Sequence, residues 1–153
     1  MIRKSTNLLL TRTLSNCLQN VIKRKNVGLT ELVQIIINTT HLEKSCKSLE
    51  QFLPSITHVQ PQALHTTKLY GTTAFKDARH AAEEEIYTNL NQKIDQFVQL
   101  ADYDWTAPEA GPRASDFLLD LIAFLRSTFA VFTHLPDSLF QFGRKFVIDV
   151  FRK

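Results

Sequence analysis

The sequence predicts an all-α protein, built as an antiparallel helical bundle or as part of a longer helical rod. Apolar residues recur at three- and four-residue steps over most of the chain, which is the spacing of amphipathic helices. Of the 153 residues 44% are hydrophobic, and only four are Gly and five Pro, which is the composition of a packed chain. No pair of alternating segments indicates a β-hairpin. The composition also excludes disorder along the whole chain.

The first predicted helix covers residues 6–25 and ends at Gly28. The chain is basic here, because no acid precedes Glu31. An acid-free, basic helix is also typical of a mitochondrial presequence or of a helix on a membrane surface, and this remains the alternative interpretation. The apolar face of this helix consists of Leu14, Cys17, Leu18, Val21 and Ile22.

A second predicted helix has Thr30 as its N-cap and Glu31 in its positive first turn, and Pro54 should end it. The β-branched run at residues 33–40 favours a strand, but the three- and four-residue steps continue beyond it, which favours a helix. The apolar positions are Leu32, Val33, Ile36, Ile37, Leu42, Cys46, Leu49 and Phe52.

Residues 54–73 lack a sustained period and predict a connector. Thr72 or Thr73 should then cap a third helix. Its apolar steps average more than 3.6 residues, which indicates a bundle helix rather than a left-handed coiled coil. These positions are Phe75, Ala78, Ala82, Ile86, Leu90, Ile94, Phe97 and Ala101.

Two more helices are predicted towards the C terminus. The fourth follows Pro112 and is closed at Pro136. The fifth covers residues 137–153. Eight of the eleven phenylalanines lie between Phe117 and Phe151, and their spacing favours a core over a lipid-binding face. The apolar positions of the fourth helix are Phe117, Leu118, Leu121, Ile122, Leu125, Phe129 and Phe132.

His80 and Glu84 are four residues apart on the third predicted helix and could face one metal ion. Di-metal bundles, however, use Glu-x-x-His in two helices, whereas this chain has His80-x-x-Glu83 once, in the reverse order. The pattern therefore favours an acidic patch near the start of a helix, with Lys76 and Arg79 pairing locally.

The other candidate residues also favour structural roles. Asp102 and Asp104 resemble paired metal ligands but lack a third oxygen ligand nearby. Cys17 and Cys46 lie on apolar ladders and are predicted to be core residues without a zinc or redox partner. The sequence thus predicts no catalytic, cofactor-binding or metal-binding residue. For four further histidines the sequence has no pattern that pairs them with a catalytic or metal-binding partner; they are His41, His58, His65 and His134.

Six uninterrupted runs are distinctive beyond their spacing. They are residues 5–14 (STNLLLTRTL), 37–44 (INTTHLEK), 65–73 (HTTKLYGTT), 75–87 (FKDARHAAEEEIY), 89–97 (NLNQKIDQF) and 120–136 (DLIAFLRSTFAVFTHLP). Together they resemble the C-terminal region of the Sec-fifteen subunit of the exocyst, also called exocyst complex component six. The resemblance covers about residues 3–136.

The resemblance implies a non-enzymatic subunit of an octameric complex that tethers secretory vesicles at the plasma membrane before exocytosis. It implies a cytoplasmic protein that is peripheral at vesicles and the plasma membrane and needs no cofactor. Its implied partners are other exocyst subunits, of the Sec-ten type, and a Rab GTPase in the full-length family, but no nucleic acid. No partner-binding residue can be transferred to this chain.

The resemblance also predicts a truncated chain. Residues 1–136 should be a partial family region, and residues 137–153 a divergent tail without family resemblance. We therefore expect apolar stripes to remain exposed where further helices would pack. These stripes should include Ile86, Ile94, Leu121 and Phe129.

Overall fold

The computed structural model describes residues 2–24, 27–57, 69–100 and 114–135. No strand occurs in these ranges, which confirms the all-α prediction. The predicted fifth helix at residues 137–153 lies outside them. The chain divides into two compact units, Met1–Glu85 and Ile86–Lys153. The elements are α1 (Ile2–Leu8), a π-helix (Leu9–Ser15), α2 (Asn16–Ile22), α3 (Leu29–Thr57), α4 (Gly71–Gln99) and α5 (Asp116–Phe132).

The segments α1, π-helix and α2 are continuous and form one N-terminal helix, residues 2–22. A π-helix closes i→i+5 hydrogen bonds and so has more residues per turn than an α-helix. The side chains that follow it therefore face a different direction from the one that regular α-helical spacing predicts. The predicted apolar face is therefore wrong in part: Cys17 is exposed and Leu14 is 37% exposed. Ile22 is buried, which confirms the prediction for this residue, and Ser15, which was not on the predicted face, is buried as well. The N-terminal helix also ends before Gly28, at Ile22.

Helix α3 begins at Leu29, which makes the predicted N-cap at Thr30 wrong. The Gly28 N–H donates a hydrogen bond to Glu31 Oε2 at 3.1 Å, as the glutamate of a capping box does. Pro54 does not end the helix, contrary to the prediction, because α3 continues to Thr57. A proline removes only one backbone donor from the helix, and the remaining hydrogen bonds carry α3 through one more turn.

The buried face of α3 explains why the β-branched run is helical. Thr39 and Thr40 are buried, and their hydroxyls donate to carbonyl groups one turn earlier at 2.7–3.0 Å. Leu49 and Phe52 were predicted in the core, but they are 37% and 58% exposed, because the buried face passes through Leu53 instead. The other buried apolar residues of α3 are Leu32, Val33, Ile35, Ile36 and Cys46.

In the first unit, α4 runs parallel to the N-terminal helix and antiparallel to α3. Four hydrogen bonds define these relative directions: Tyr70 to Asn7, Ser15 to Ala74, Leu69 to Glu50, and Arg79 to Glu43. The predicted core positions Phe75, Ala78 and Ala82 are fully buried. The predicted caps are wrong, because α4 begins at Gly71, ahead of Thr72 and Thr73.

The second unit contains residues 86–99 of α4 and the whole of α5. Ile86 is fully buried, so the expectation that it would remain exposed is wrong. The Phe97 and Phe124 ring centroids are 5.6 Å apart, which joins α4 to α5. On α5 the exposed large apolar residues are Leu118 and Ile122, both of which were predicted on its apolar face, together with Leu119.

Candidate interaction surface

Two side chains from different helices hold the start of α4. Glu50 Oε1 on α3 accepts a hydrogen bond from the Leu69 N–H at 2.6 Å, and Asn7 Oδ1 on α1 accepts one from the Tyr70 N–H at 2.9 Å. N–H groups at the start of a helix have no partner within that helix and are usually satisfied by a local cap. Here the partners are remote in sequence, so three helices are joined at one point.

Gly71 lies where these three helices come closest. A Cβ atom at this position would lie 2.8 Å from Leu10 Cδ1 and 2.9 Å from Cys46 Sγ, and both distances are below van der Waals contact. Only a residue without a side chain allows this approach. The N-terminal helix, α3 and α4 therefore pack against one another at Gly71.

A charge network joins α3 to α4. Glu43 accepts hydrogen bonds from Lys47 Nζ and Arg79 Nη1, both at 2.8 Å. Arg79 Nε lies 3.6 Å from Glu83 Oε1, and His80 Nδ1 lies 2.9 Å from Glu83 Oε2. The predicted local pairing of Arg79 is present in its contact with Glu83, but the shorter contact with Glu43 was missed. The side chains of Arg79 and Glu43 are 16% and 12% exposed.

The pKa of Glu43 makes the network sensitive to acid. Burial alone would raise this pKa, but the Lys47 hydrogen bond and the charges of Arg79 and Lys47 outweigh burial and hold the pKa below its ordinary value of 4.5. As the pH falls, the Glu43 carboxylate takes up a proton in the unfolded chain before it does so in the folded chain. The ion pairs of Glu43 therefore stabilise the fold above pH 4.5, and this stabilisation is lost as the pH falls through the lowered pKa.

We therefore expect the Glu43→Gln variant to lose less free energy of unfolding on acidification than the wild type. The difference should be about 1 kcal/mol or less, because the charged partners are partly solvated. Urea unfolding of both proteins at neutral pH and at about pH 3 measures the difference. Glu84→Gln, at an exposed position of α4, is the matched control. Parallel stability profiles for wild type and Glu43→Gln would contradict the assignment.

The structure does not support His80 and Glu84 as a pair of metal ligands. His80 contacts Glu83, while Glu84 is exposed. Within the described ranges, no group of three or more His, Cys, Asp or Glu side chains is placed to hold a metal ion. His41 and His134 are exposed. The other candidates fall outside the described residues: Asp102, Asp104, His58 and His65.

The two cysteines differ, although both were predicted in the core. Cys17 is exposed, whereas Cys46 is buried. Burial and the nearby Glu50 carboxylate raise the pKa of the Cys46 thiol, which lowers its thiolate fraction. We expect iodoacetamide to modify Cys17 more than about tenfold faster than Cys46 in the folded chain. Peptide mass spectrometry measures both rates, and equal rates in the folded state would contradict the structure; equal rates in urea are the control.

An open depression of about 460 Å³ lies along the outer side of α3. Its apolar part is formed by Leu49 and Phe52, the two residues displaced from the core. His41 and Lys44 add basic groups, so the depression suits a partner that combines apolar and acidic side chains. Ser45 and Ser48 complete the lining.

A second exposed apolar surface lies on α5. Leu118, Leu119 and Ile122 are 37%, 53% and 40% exposed, whereas Thr128 and Phe132 are buried. Exposed apolar side chains that adjoin one another are typical of contact surfaces. None of the described helices combines the length and apolar character needed to cross a membrane.

Comparisons with known proteins identify the family of the chain. The family model "Exocyst complex subunit Sec15 C-terminal" matches residues 1–148. The chain is 81% identical over 141 residues to Exocyst complex component 6B of Homo sapiens, covering 92% of the chain and 17% of that protein. It is 68% identical to Exocyst complex component 6 of Homo sapiens, covering 92% of the chain and 18% of that protein.

A more distant relative is Exocyst complex component 6 of Drosophila melanogaster, which is 39% identical over 132 residues. That match covers 86% of the chain and 17% of the relative. The chain therefore spans less than a fifth of the length of these curated relatives. No solved structure matches it.

Proposed function

The chain belongs to the family of the C-terminal region of the exocyst subunit Sec-fifteen, and from this membership we propose that it acts as a non-catalytic part of a vesicle-tethering subunit. High identity to exocyst subunits over nearly the whole chain supports the proposal. It serves exocytosis and transport from the Golgi to the plasma membrane. In this proposal it is cytoplasmic and peripheral at vesicles and the plasma membrane.

The chain acts through contacts of its helix surfaces with other exocyst subunits, of the Sec-ten type. The α3 depression supports this mode, because Leu49 and Phe52 expose apolar area at helical spacing beside Lys44. A Rab GTPase is proposed as a partner of full-length family members rather than of this chain, since no GTPase-binding residue is carried over to it.

The proposed division of the chain places a partial helical region at residues 1–136 and a divergent tail at residues 137–153. The helical region forms part of a rod of the tethering-complex type. The family match to residue 148 weighs against a boundary at Pro136.

The proposal is tested by immobilising the chain and measuring capture of purified exocyst subunits, with a GTP-loaded Rab as a second probe. We expect subunit capture without Rab capture. Leu49→Ser with Phe52→Ser should reduce that capture about tenfold or more, because both side chains are exposed and leave the core intact. Val98→Ser, at an exposed position of α4, is the control.

Two outcomes would contradict the proposal. Failure of every exocyst subunit to bind would remove the tethering role. Import of the chain into mitochondria with cleavage near its basic N terminus would favour the alternative interpretation of the first helix as a targeting element.

A further inference from the structure

The outer side of the N-terminal helix carries charge of one sign. No acid precedes Glu31 in the sequence, and four bases are exposed along this helix and directly after it: Lys4, Arg12, Lys23 and Arg24. None of the four has an ion-pair partner among the residues that the structure describes. We call these four residues the basic stripe. Its charges are available to a partner of opposite sign.

The π-helix keeps two of these bases on the same side. On a regular α-helix a step of four residues turns about 40° beyond a full circle, so two such steps would separate Lys4 from Arg12 by about 80°. The wider turns of the π-helix at Leu9–Ser15 offset this drift. Lys4 and Arg12 are both exposed, and Leu8 and Leu9 lie between them at 51% and 53% exposure.

The inner side of the same helix is held by the first unit. Ser15 and Ile22 are buried, and Asn7 Oδ1 accepts the hydrogen bond of the Tyr70 N–H at 2.9 Å. The helix cannot present another side without breaking these contacts. It therefore differs from a free interfacial helix, which buries its apolar face in lipid. Any contact outside the unit is made by the basic stripe and by Leu8 and Leu9.

The spacing of the basic stripe favours a lipid surface over an acidic protein. The stripe extends over about 30 Å, and eight residues separate Lys4 from Arg12 and eleven separate Arg12 from Lys23. A protein partner would have to place an acid at each of these wide intervals. A membrane that contains anionic lipid presents negative charge throughout, so it can pair with bases at any spacing.

The two leucines also suit a lipid surface. Leucine side chains can enter the boundary between headgroups and acyl chains, while the neighbouring Lys4 and Arg12 extend their charged ends to the headgroups. We infer that the outer side of the N-terminal helix lies on a membrane surface that contains anionic lipid. This contact goes beyond the binding of other subunits proposed above, because the chain itself then touches the membrane.

Vesicle sedimentation of the full chain tests the inference. The chain should bind vesicles of phosphatidylcholine with about 30% phosphatidylserine more tightly than vesicles of phosphatidylcholine alone. Each Lys or Arg at an anionic surface changes partitioning about fivefold, so four bases predict a preference of about a hundredfold or more. The preference should disappear at about 1 M salt, where the Debye length is only about 3 Å.

Paired charge substitutions separate the basic stripe from the net charge of the chain. Lys4→Gln with Arg12→Gln should weaken binding to the anionic vesicles about twentyfold, because two bases leave the surface. Lys44→Gln with Lys76→Gln removes the same net charge from exposed positions of α3 and α4. This control should change binding less than about twofold. All four side chains are exposed, so circular dichroism should show an unchanged helix content.

A dye and a second pair of variants locate the contact on the N-terminal helix. Cys17 is exposed on this helix whereas Cys46 is buried, so a thiol-reactive, polarity-sensitive dye labels Cys17 first. Its emission should shift to the blue with anionic vesicles and stay unchanged with neutral ones. Leu8→Ser with Leu9→Ser should weaken vesicle binding about tenfold, because the apolar area that enters the membrane is lost.

Four results would overturn the inference. The first is a chain that binds neither kind of vesicle, or both equally. The second is binding that the control pair weakens as much as Lys4→Gln with Arg12→Gln. The third is binding without a change in the Cys17 dye. The fourth is loss of exocyst-subunit capture, but not of vesicle binding, in Lys4→Gln with Arg12→Gln, which would assign the basic stripe to an acidic protein. Since the vesicle assays contain no other subunit, their failure is distinct from a failure of the proposed function.

Discussion

Phe75→Ala is expected to lower the free energy of unfolding of the chain by about 3–5 kcal/mol. Phe75 is fully buried on α4. Truncation to alanine removes the whole buried ring and leaves a cavity that the neighbouring helices can fill only in part. Urea unfolding followed by circular dichroism at neutral pH measures the change.

Phe52→Ala is the matched control for this substitution. The same atoms are removed, but the Phe52 side chain is 58% exposed on α3. We expect a loss of about 0.5 kcal/mol or less, as for most surface substitutions. Equal losses for the two variants would contradict the burial that the structure assigns to them.

Gly71→Ala is expected to cost about 1–3 kcal/mol, although alanine normally stabilises a helix relative to glycine. The new methyl group would lie 2.8 Å from Leu10 Cδ1 and 2.9 Å from Cys46 Sγ, so the side chains of Leu10 and Cys46 must shift. Urea unfolding gives the cost, and a stabilising effect would contradict the close approach of the three helices.

A double-mutant cycle identifies the source of that cost. Cys46→Ala removes the sulfur atom that lies in the way, so Gly71→Ala should cost less in the Cys46→Ala background than in the wild type. Thr73→Ala, at an exposed position two residues further along α4, gives the baseline for a substitution near the helix start. Additive costs at positions 71 and 46 would show that the two side chains do not compete for space.

The regular parts of the fold could be predicted from the sequence because their periodicity is unbroken. The α4 ladder steps evenly, and Phe75, Ala82 and Ile86 are fully buried on one face. The same regularity fails on the N-terminal helix. A π-helix adds a residue to the turn without leaving a mark in composition, so the predicted face at Leu14 and Cys17 lies outward.

Helix boundaries were predicted less well, because tertiary contacts decide them. Thr72 and Thr73 are typical caps, yet α4 starts earlier because Glu50 and Asn7 supply acceptors from other helices. No local pattern signals a partner 63 residues away in the sequence, as Asn7 is for Tyr70. Local patterns therefore do not predict a helix start that is fixed by remote partners.

The interaction surfaces show the same limit. Leu118 and Ile122 could be assigned to the apolar side of α5, but spacing alone does not show which residues of that side stay exposed. The charge network between Glu43 and Arg79 was also missed, because its two residues belong to different helices. Only the i, i+4 contact of Arg79 with Glu83 follows from sequence spacing.

The remote partners at the start of α4 also set the order in which the chain can assemble during synthesis. The N-terminal helix leaves the ribosome first, but its Asn7 side chain can accept the hydrogen bond of the Tyr70 N–H only after residue 70 has been made. Glu50 needs only nineteen further residues to reach its partner at Leu69. Since closing the shorter loop costs less entropy, we expect α3 and α4 to form a hairpin first and the older, N-terminal helix to join it last.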